Sequence, residues 1–456
     1  MTRKLKKGGY AAILSIIVIA AVILLNMIVS RLPEKVRQWD MSNSQIYSLG
    51  QTTKDLLKGL DKDITIYVVG DPAAVDKRIT SFVKRYKDLS SHIQVENIDS
   101  VLHPDQVNQL KAQDDTLLVS CKATNKTESI PFTKIIQDDG AAYYGYGQSK
   151  ETQFDGEGQL TSAISHVMNA VEKKIYVSEG HGEAPLGATV TDQLTKSNLA
   201  VTTLNLLTSG SIPEDCELLL MNAPESDLAN DEKKMVSDFL DKGGNLMVFA
   251  GYSEKERPNL RDLFNEYGLN LENGLVADTK NFYQNNPYYI FPAFPSGSDV
   301  TDNIDRKLAA LVLQSAPITQ LQNLPAGVKV TPFMETSDGG MMVTADKQTK
   351  GTYLLGAVAE KTLDSGTSRL TLFSTPTLID ENLNTSFTNL SNLSIFMNAV
   401  TANYDDVANV SIPAKSLDVP YNTVTRGGWW GILFVFVIPA ATLLTGLVIW
   451  LKRRRL

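Results

Sequence analysis

Lys174-Ile175-Tyr176-Val177-Ser178-Glu179-Gly180-His181-Gly182-Glu183 is the stretch on which the reading of this chain turns. Its first half is β-branched and aromatic, the composition of a strand. Two glycines then break it, because glycine takes up backbone angles that other residues resist. A helical pattern runs on to about Leu199, followed by strand-like runs at Val201 to Leu206 and Glu217 to Asn222. Asp227 to Lys242 has the period of an amphipathic helix with an acidic first turn, and Gly243-Gly244 ends it. Asn245-Leu246-Met247-Val248-Phe249-Ala250 is nearly all apolar, as expected of a strand covered on both faces. Strands alternating with helices at this rhythm predict an α/β fold with a parallel sheet between helical layers.

Moving outward, Ile64 to Val69, His92 to Ile98, Thr116 to Cys121 and Ser129 to Ile136 read as strands. Gln51 to Leu60 and Val75 to Leu89 read as helices, and Gln159 to Glu172 as another. The expected organisation is a first parallel-sheet α/β unit over residues 40–172 and a second over 173–403, with 404–428 as linker. Asp138 to Gly158 reads as a Gly/Tyr-rich loop and Phe282 to Tyr289 as an aromatic, Asn/Pro-rich loop. Lys329 to Thr331, Thr352 to Ala359 and Leu370 to Ser374 are expected strands, and Asn389 to Ala402 a last helix.

Farther out still, two apolar runs bracket the chain. One spans Tyr10 to Val29, with Ser15 and Asn26 its clearly polar residues; the other spans Trp429 to Leu451. About 20 apolar residues suffice to cross a hydrocarbon core as a helix. Arg3, Lys4, Lys6 and Lys7 precede the first run, and Lys452 to Arg455 follow the second. Basic flanks stay on the cytoplasmic side, so residues 1–9 and 452–456 are expected inside, 10–30 and 429–451 across the membrane, and the bulk of the chain outside. Trp429, Trp430 and Trp450 sit where interfacial aromatics belong. The first run is longer than a signal-peptide core and no small-x-small site follows it, so it is expected to remain as an anchor. In the second run Ala440, Ala441 and Gly446 are small, and small residues let membrane helices approach closely. They are candidate packing residues.

The net charge is −8, and with both basic ends set aside 35 basic residues face 51 acidic ones. That balance argues against a nucleic-acid partner. Cys121 and Cys216 each lie in a strand-like apolar run and are expected as free buried thiols. His92, His103, His166 and His181 show no zinc-ligand interval, so no metal and no cofactor are expected.

Gly180, His181, Gly182 and Glu183 are the sharpest candidate site, just past a strand's carboxyl end, where open α/β sheets bind ligands. His and Glu there suit an acid–base pair, a clamp on a ligand or partner, or simply a hydrogen-bonded turn. Gly251-Tyr252-Ser253 lacks the last glycine of a nucleophile elbow, because Lys255 stands there. No phosphate loop is present, so ATP hydrolysis by that route needs another subunit. Asp278, Asp299, Asp302 and Asp305 are acidic loop residues, expected as scattered carboxylates rather than cation ligands.

Several segments together resemble one family. They are Trp39 to Leu56, Gly156-Glu157-Gly158-Gln159-Leu160-Thr161-Ser162-Ala163-Ile164, Lys174 to Glu183, and Asp238-Phe239-Leu240-Asp241-Lys242-Gly243-Gly244-Asn245-Leu246, between two apolar ends. The chain resembles the GldG family, auxiliary subunits of gliding-motility-type ABC transport systems, along essentially its whole length. The second unit also resembles the glutamine-amidotransferase-like fold, without its catalytic cysteine elbow. The resemblance implies a bacterial membrane protein working beside a separate ATP-binding subunit and a permease. The expected function is a non-enzymatic extracytoplasmic subunit. Its rivals are a solute- or glycan-binding module and a hydrolase using His181 and Glu183. Substrate, direction of transport and oligomeric state are left open.

Overall fold

In β1 (Ile64–Val69), Ile64, Ile66 and Val68 alternate into the core, and Val69 is also buried. The computed structural model describes residues 17–24, 27, 45–138, 150–168, 173–302, 304–364, 366–387, 389–404, 407, 412–417 and 436–454. A short helix α1 (Gln51–Lys58) precedes β1, and α2 (Lys77–Leu89) follows it. Asp76 caps α2 by accepting the Arg78 N–H at 2.7 Å, and Ile79, Phe82, Val83 and Tyr86 form its buried stripe. This crossover sets β2 (Ile93–Ile98) parallel to β1.

The first sheet is not parallel throughout, contrary to expectation. Its order is β2-β1-β3-β4, and β3 (Thr116–Cys121) runs antiparallel to both β1 and β4 (Lys126–Pro131). Four residues join β3 to β4, too few for the crossover that a parallel pair needs. Pro131 also ends β4 early, and the backbone makes one helical turn over Phe132–Ile135 where strand was expected. The expected loop at 138–158 holds β5 (Ile136–Asp138) and β6 (Glu151–Phe154), an antiparallel pair; residues 139–149 lie outside those described. Helix α3 (Gly156–Met168) starts at the Gly-Glu-Gly and packs on β3 and β4.

The second unit is built on nine strands. Its parallel half is β8 (Leu199–Asn205), β7 (Lys173–Glu179), β9 (Leu218–Asn222), β10 (Asn245–Phe249) and β15 (Gly366–Phe373), side by side in that order. All of β9 is buried, which explains its unbroken apolar run. Helices α4 (Ala188–Lys196), α5 (Asn230–Asp241) and α6 (Pro258–Asn265) make the connections. The other half departs from expectation and is antiparallel. It comprises β11 (Leu269–Leu271), β12 (Ile318–Gln320), β13 (Val328–Glu335) and β14 (Leu354–Leu363). Leu363 pairs with Gly366, so β14 and β15 form a tight hairpin and must run in opposite directions.

Two apolar layers cover this sheet. On one face Phe249 stacks on Phe373 with centroids 4.5 Å apart, and Phe396 of α7 (Asn392–Thr401) joins them. On the other, Val236 and Leu240 of α5 meet Leu263 and Phe264 of α6. Each such side chain stabilises the fold by about 1.5–3 kcal/mol. The expected aromatic loop at 282–289 is a hairpin. Gln284 (φ 50°) and Asn285 (φ 57°) form its two-residue left-handed turn, and Tyr283 pairs with Asn286.

The described parts of both terminal runs are helical, over residues 17–24 and in α8 (Ile438–Arg454). Their apolar side chains face outward, Leu24 at 59% exposure and Leu443 at 75%. Ala440, Ala441 and Gly446 are exposed, and Gly446 has no atom within 4 Å of its missing Cβ. Among the described residues no helix is long and apolar enough to cross a membrane. Residues 10–16, 25, 26, 28–30 and 429–435 of the two expected spans lie outside the described set.

Candidate functional site

The carboxyl ends of β7, β9, β10 and β15 share one edge, and a cleft of about 500 Å³ opens there. Gly182 and Ala184 line it after β7, Ala223 to Glu225 after β9, Gly251 to Lys255 after β10, and Thr375 to Thr377 after β15. Parallel strands place such a cleft at their carboxyl edge. Arg257, just before α6, also lines it and ties its loops together. Its guanidinium is buried and donates to the carbonyls of Pro224 at 2.8 Å, Ala250 at 3.1 Å and Gly251 at 2.9 Å. The sequence reading passed over Arg257, although an arginine between an apolar strand and a helix-starting Pro258 was a usable signal.

His181 and Glu183 come together, but neither side chain lines the cleft. Gly180 (φ 120°) and Gly182 (φ 76°) reverse the chain, and a Cβ on Gly182 would sit 3.2 Å from Cβ of Glu225. His181 is 3% exposed, with Nε2 2.9 Å from Oε2 of Glu232. That same Glu232 oxygen accepts the Ala229 N–H at 2.7 Å at the start of α5. Glu183 accepts from Ser178 Oγ at 2.8 Å and from the His181 N–H at 2.7 Å. The His181 carbonyl accepts the N–H groups of Glu225 and Ser226 at 2.9 and 3.0 Å. The motif therefore ties the end of β7 to the loop after β9 and to α5. Among the described residues the groups facing the imidazole are the carboxylates of Glu232 and Glu183, and neither serine nor cysteine is among them. Ser253 Oγ closes its own turn with the N–H of Lys255 at 3.1 Å. Cys216 lies just before β9, at the sheet's opposite edge, and burial pushes its thiol up to about 12, which disfavours the reactive thiolate.

A second cavity, about 850 Å³, lies at that amino edge between Glu214, Glu217 and the Asp231, Lys234, Asp238 and Lys242 side of α5. Both cysteines are free and buried, as expected. Asp299 pairs with Arg369 at 2.8 Å, Asp302 accepts the Gly297 N–H and Asp305 the Lys307 N–H. Asp278 is buried rather than a surface carboxylate, and accepts from Lys280, Asn281 and Ser337. Among the described residues no group of acids, histidines and cysteines is placed to hold a metal.

A second polar centre, unforeseen in the sequence, surrounds Glu157 at the start of α3. This carboxylate is 4% exposed and accepts from the Gly50 N–H at 2.5 Å, Thr53 Oγ1 at 2.7 Å and Lys415 Nζ at 3.0 Å. Lys415 also donates to the carbonyls of Gln45, at 3.1 Å, and Ser48. Tyr86, Thr161 and Thr53 chain their hydroxyls beside it at 2.7 and 3.0 Å. The strand β16 (Lys415–Ser416) pairs with β6. The arms at 45–50 and 412–417 thus lie together on one helix start. Next to them Lys196 of α4 reaches Asp155 and Asp192, both at 2.7 Å, joining the second unit to the first. Burial works against that ammonium, but the two carboxylates outweigh it and hold its pKa above the usual lysine value.

Residues 172–362 match the family described as an ABC-type uncharacterized transport system. The match supports the resemblance of this segment to an auxiliary domain of an ABC transport system. Residues 43–137 match a domain of unknown function. No curated protein matches the chain. Among solved structures, the mmIFT52 N-terminal domain is 12% identical, with a TM-score of 0.40 over 51% of this chain and 99% of that one. PurLQS from Thermotoga maritima is 11% identical, with a TM-score of 0.28 over 51% of this chain and 100% of that one. Likenesses at these scores carry no argument about fold or function.

Proposed function

We propose that the chain is a non-enzymatic, membrane-anchored extracytoplasmic subunit of an ABC transporter, working beside a separate ATP-binding subunit and permease. The observation that carries this reading is the family match over residues 172–362, which supports a role in an ABC transport system. Three further features support the finer reading. Basic clusters flank both apolar runs on their outer sides. The described parts of those runs are helices with outward apolar side chains, which need lipid or a partner around them. The strongest acid–base candidate, His181, is occupied in holding a turn. The test is purification of the chain from its native membrane in mild detergent. A permease and an ATPase are expected to come with it in fixed ratio. Recovery of the chain alone, under conditions that keep other transporters intact, overturns the proposal. Ester, peptide or glycoside turnover by the pure chain, abolished in His181→Ala, overturns its non-enzymatic part.

A further inference from the structure

The most exposed large apolar residues among the described ones, outside the terminal runs, are Val101 at 71% and Leu102 at 73%. They are adjacent and lie in the turn after β2. Scattered apolar residues on a surface are ordinary, but a neighbouring pair this far out is less so. The turn is held in place. Asp99 Oδ1 accepts the N–H of Val101 at 3.0 Å and of Leu102 at 2.9 Å, and the Asp99 carbonyl accepts the His103 N–H at 2.8 Å. The helix that follows, Pro104–Gln109, has no buried residue. Residues 101–106 are exposed one after another.

The pair shares an edge of the first unit with both arms. The Gly70 N–H donates to the Ile98 carbonyl at 3.1 Å, joining the carboxyl ends of β1 and β2. A Cβ on Gly70 would lie 3.3 Å from Asp115 and 3.7 Å from Phe132. Phe132 opens the single helical turn that ends at Ile135, whose carbonyl accepts the Asp155 N–H at 2.7 Å. Two residues on is Glu157, with Lys415 and the 45–50 arm upon it. The first apolar run ends at about Val29 and the second begins at about Trp429, so each tether is short: 30–44 on one side, 418–428 on the other. At about 3.3–3.6 Å per extended residue these segments reach at most roughly 50 and 40 Å, which keeps the edge they leave within that distance of whatever holds the runs.

We infer that Val101 and Leu102 insert into the surface of the lipid bilayer and set the height and tilt of the first unit. This rests on the anchored reading proposed above. Asp99 and Asp105 flank the pair, so insertion is apolar in origin and does not depend on anionic headgroups. The occupant is lipid rather than a partner groove because both segments that lead to the apolar runs continue from arms on this edge.

The test uses the full chain in phosphatidylcholine nanodiscs, with single cysteines carrying an environment-sensitive fluorophore at Leu24→Cys, Leu102→Cys or Leu207→Cys. Leu207 is 60% exposed and belongs to the second unit. The wild type, with Cys121 and Cys216 buried, gives the labelling background. Nitroxide-bearing lipids are then added as quencher. Leu24 and Leu102 are expected to lose most of their emission and Leu207 to keep it, with no change when phosphatidylglycerol is included. Quenching at Leu24 with Leu102 no more affected than Leu207 overturns this inference and leaves the anchors standing. A Leu102 probe shielded from aqueous iodide yet untouched by lipid nitroxide also overturns it, in favour of a protein groove. An unquenched Leu24 overturns the anchored reading, and this inference falls with it.

Discussion

Glu157 and His181 are matched in sequence and opposed in use. Each is ionisable, each stands between two glycines, and each is almost fully buried, at 4% and 3% exposure. His181 works within one unit, joining β7, the loop after β9 and α5. Glu157 gathers segments from both ends of the chain, Gly50 and Thr53 on one side and Lys415 on the other. The glycines differ in the same way. Gly182 makes room for Glu225 in its own turn, whereas a Cβ on Gly158 would lie 2.7 Å from the carbonyl of Ile412 in the distant arm. One motif shapes the rim of a cleft; the other closes the molecule around its two ends.

Glu157→Ala tests this contrast most severely. It leaves the Gly50 N–H without its acceptor and takes the carboxylate from Lys415, which keeps the Gln45 and Ser48 carbonyls, and from Thr53, which keeps Thr161. Breaking a buried ion pair from one side costs about 3–5 kcal/mol, and the 23% exposure of Lys415 puts this pair at the lower end. Chemical denaturation of the purified chain should show a loss of that order, and trypsin should cut at Lys415 much faster than in the wild type. Unchanged cleavage at Lys415 would mean that the pairing of β16 with β6 holds the arm without the carboxylate.

His181→Ala is expected to do less. It removes one partner of Glu232, at about 1–3 kcal/mol for an unsatisfied buried group. The partners of this turn lie in the second unit and the arms rest on the first, so cleavage at Lys415 should stay at the wild-type rate. Faster cleavage there would show that the two motifs are coupled, and the contrast between them would fail.

The parallel half of the second sheet was legible because its strands are short apolar runs separated by amphipathic helices. The antiparallel half was not. Strands were expected at 329–331, 352–359 and 370–374, but their direction is set by hairpins that composition does not show; in the separate hairpin at 282–290 the turn Gln284-Asn285 carries no glycine to announce itself. The same holds for β3 and β4, where composition signals strands but says nothing of their direction. The Gly180 to Glu183 turn stood out because glycines punctuate a strong strand. Its burial did not, since whether a histidine faces a cleft or a helix depends on Glu232, 51 residues away. Glu157 was visible as part of a family-like segment but was read into the loop ending at Gly158, whereas the helix starts at Gly156. Its partners at Gly50 and Lys415 are 107 and 258 positions distant, and no local pattern links them.

Asp278 gives the gentlest test, a buried acid without a cation. Burial works to raise its pKa, but the N–H groups of Asn281 and Lys280 and the hydroxyl and N–H of Ser337 outweigh that and hold it below the usual aspartate value. A carboxyl lowered on folding adds stability above its unfolded pKa, about 3.9, and that contribution is lost as pH falls through the folded value. The protein should therefore lose stability below about pH 4. Asp278→Asn should cost about 1–2 kcal/mol at neutral pH, because the amide keeps the shape but offers one weaker acceptor in place of two charged oxygens. Its acid slope should also be shallower than that of the wild type, as followed by denaturant titration from pH 7 to pH 3. Equal slopes would mean that other carboxylates govern the acid response, and that Asp278 is held by shape and not by charge. That outcome would place it with His181, whose turn depends on fit, and leave Glu157 as the buried acid whose charge organises distant parts of the chain.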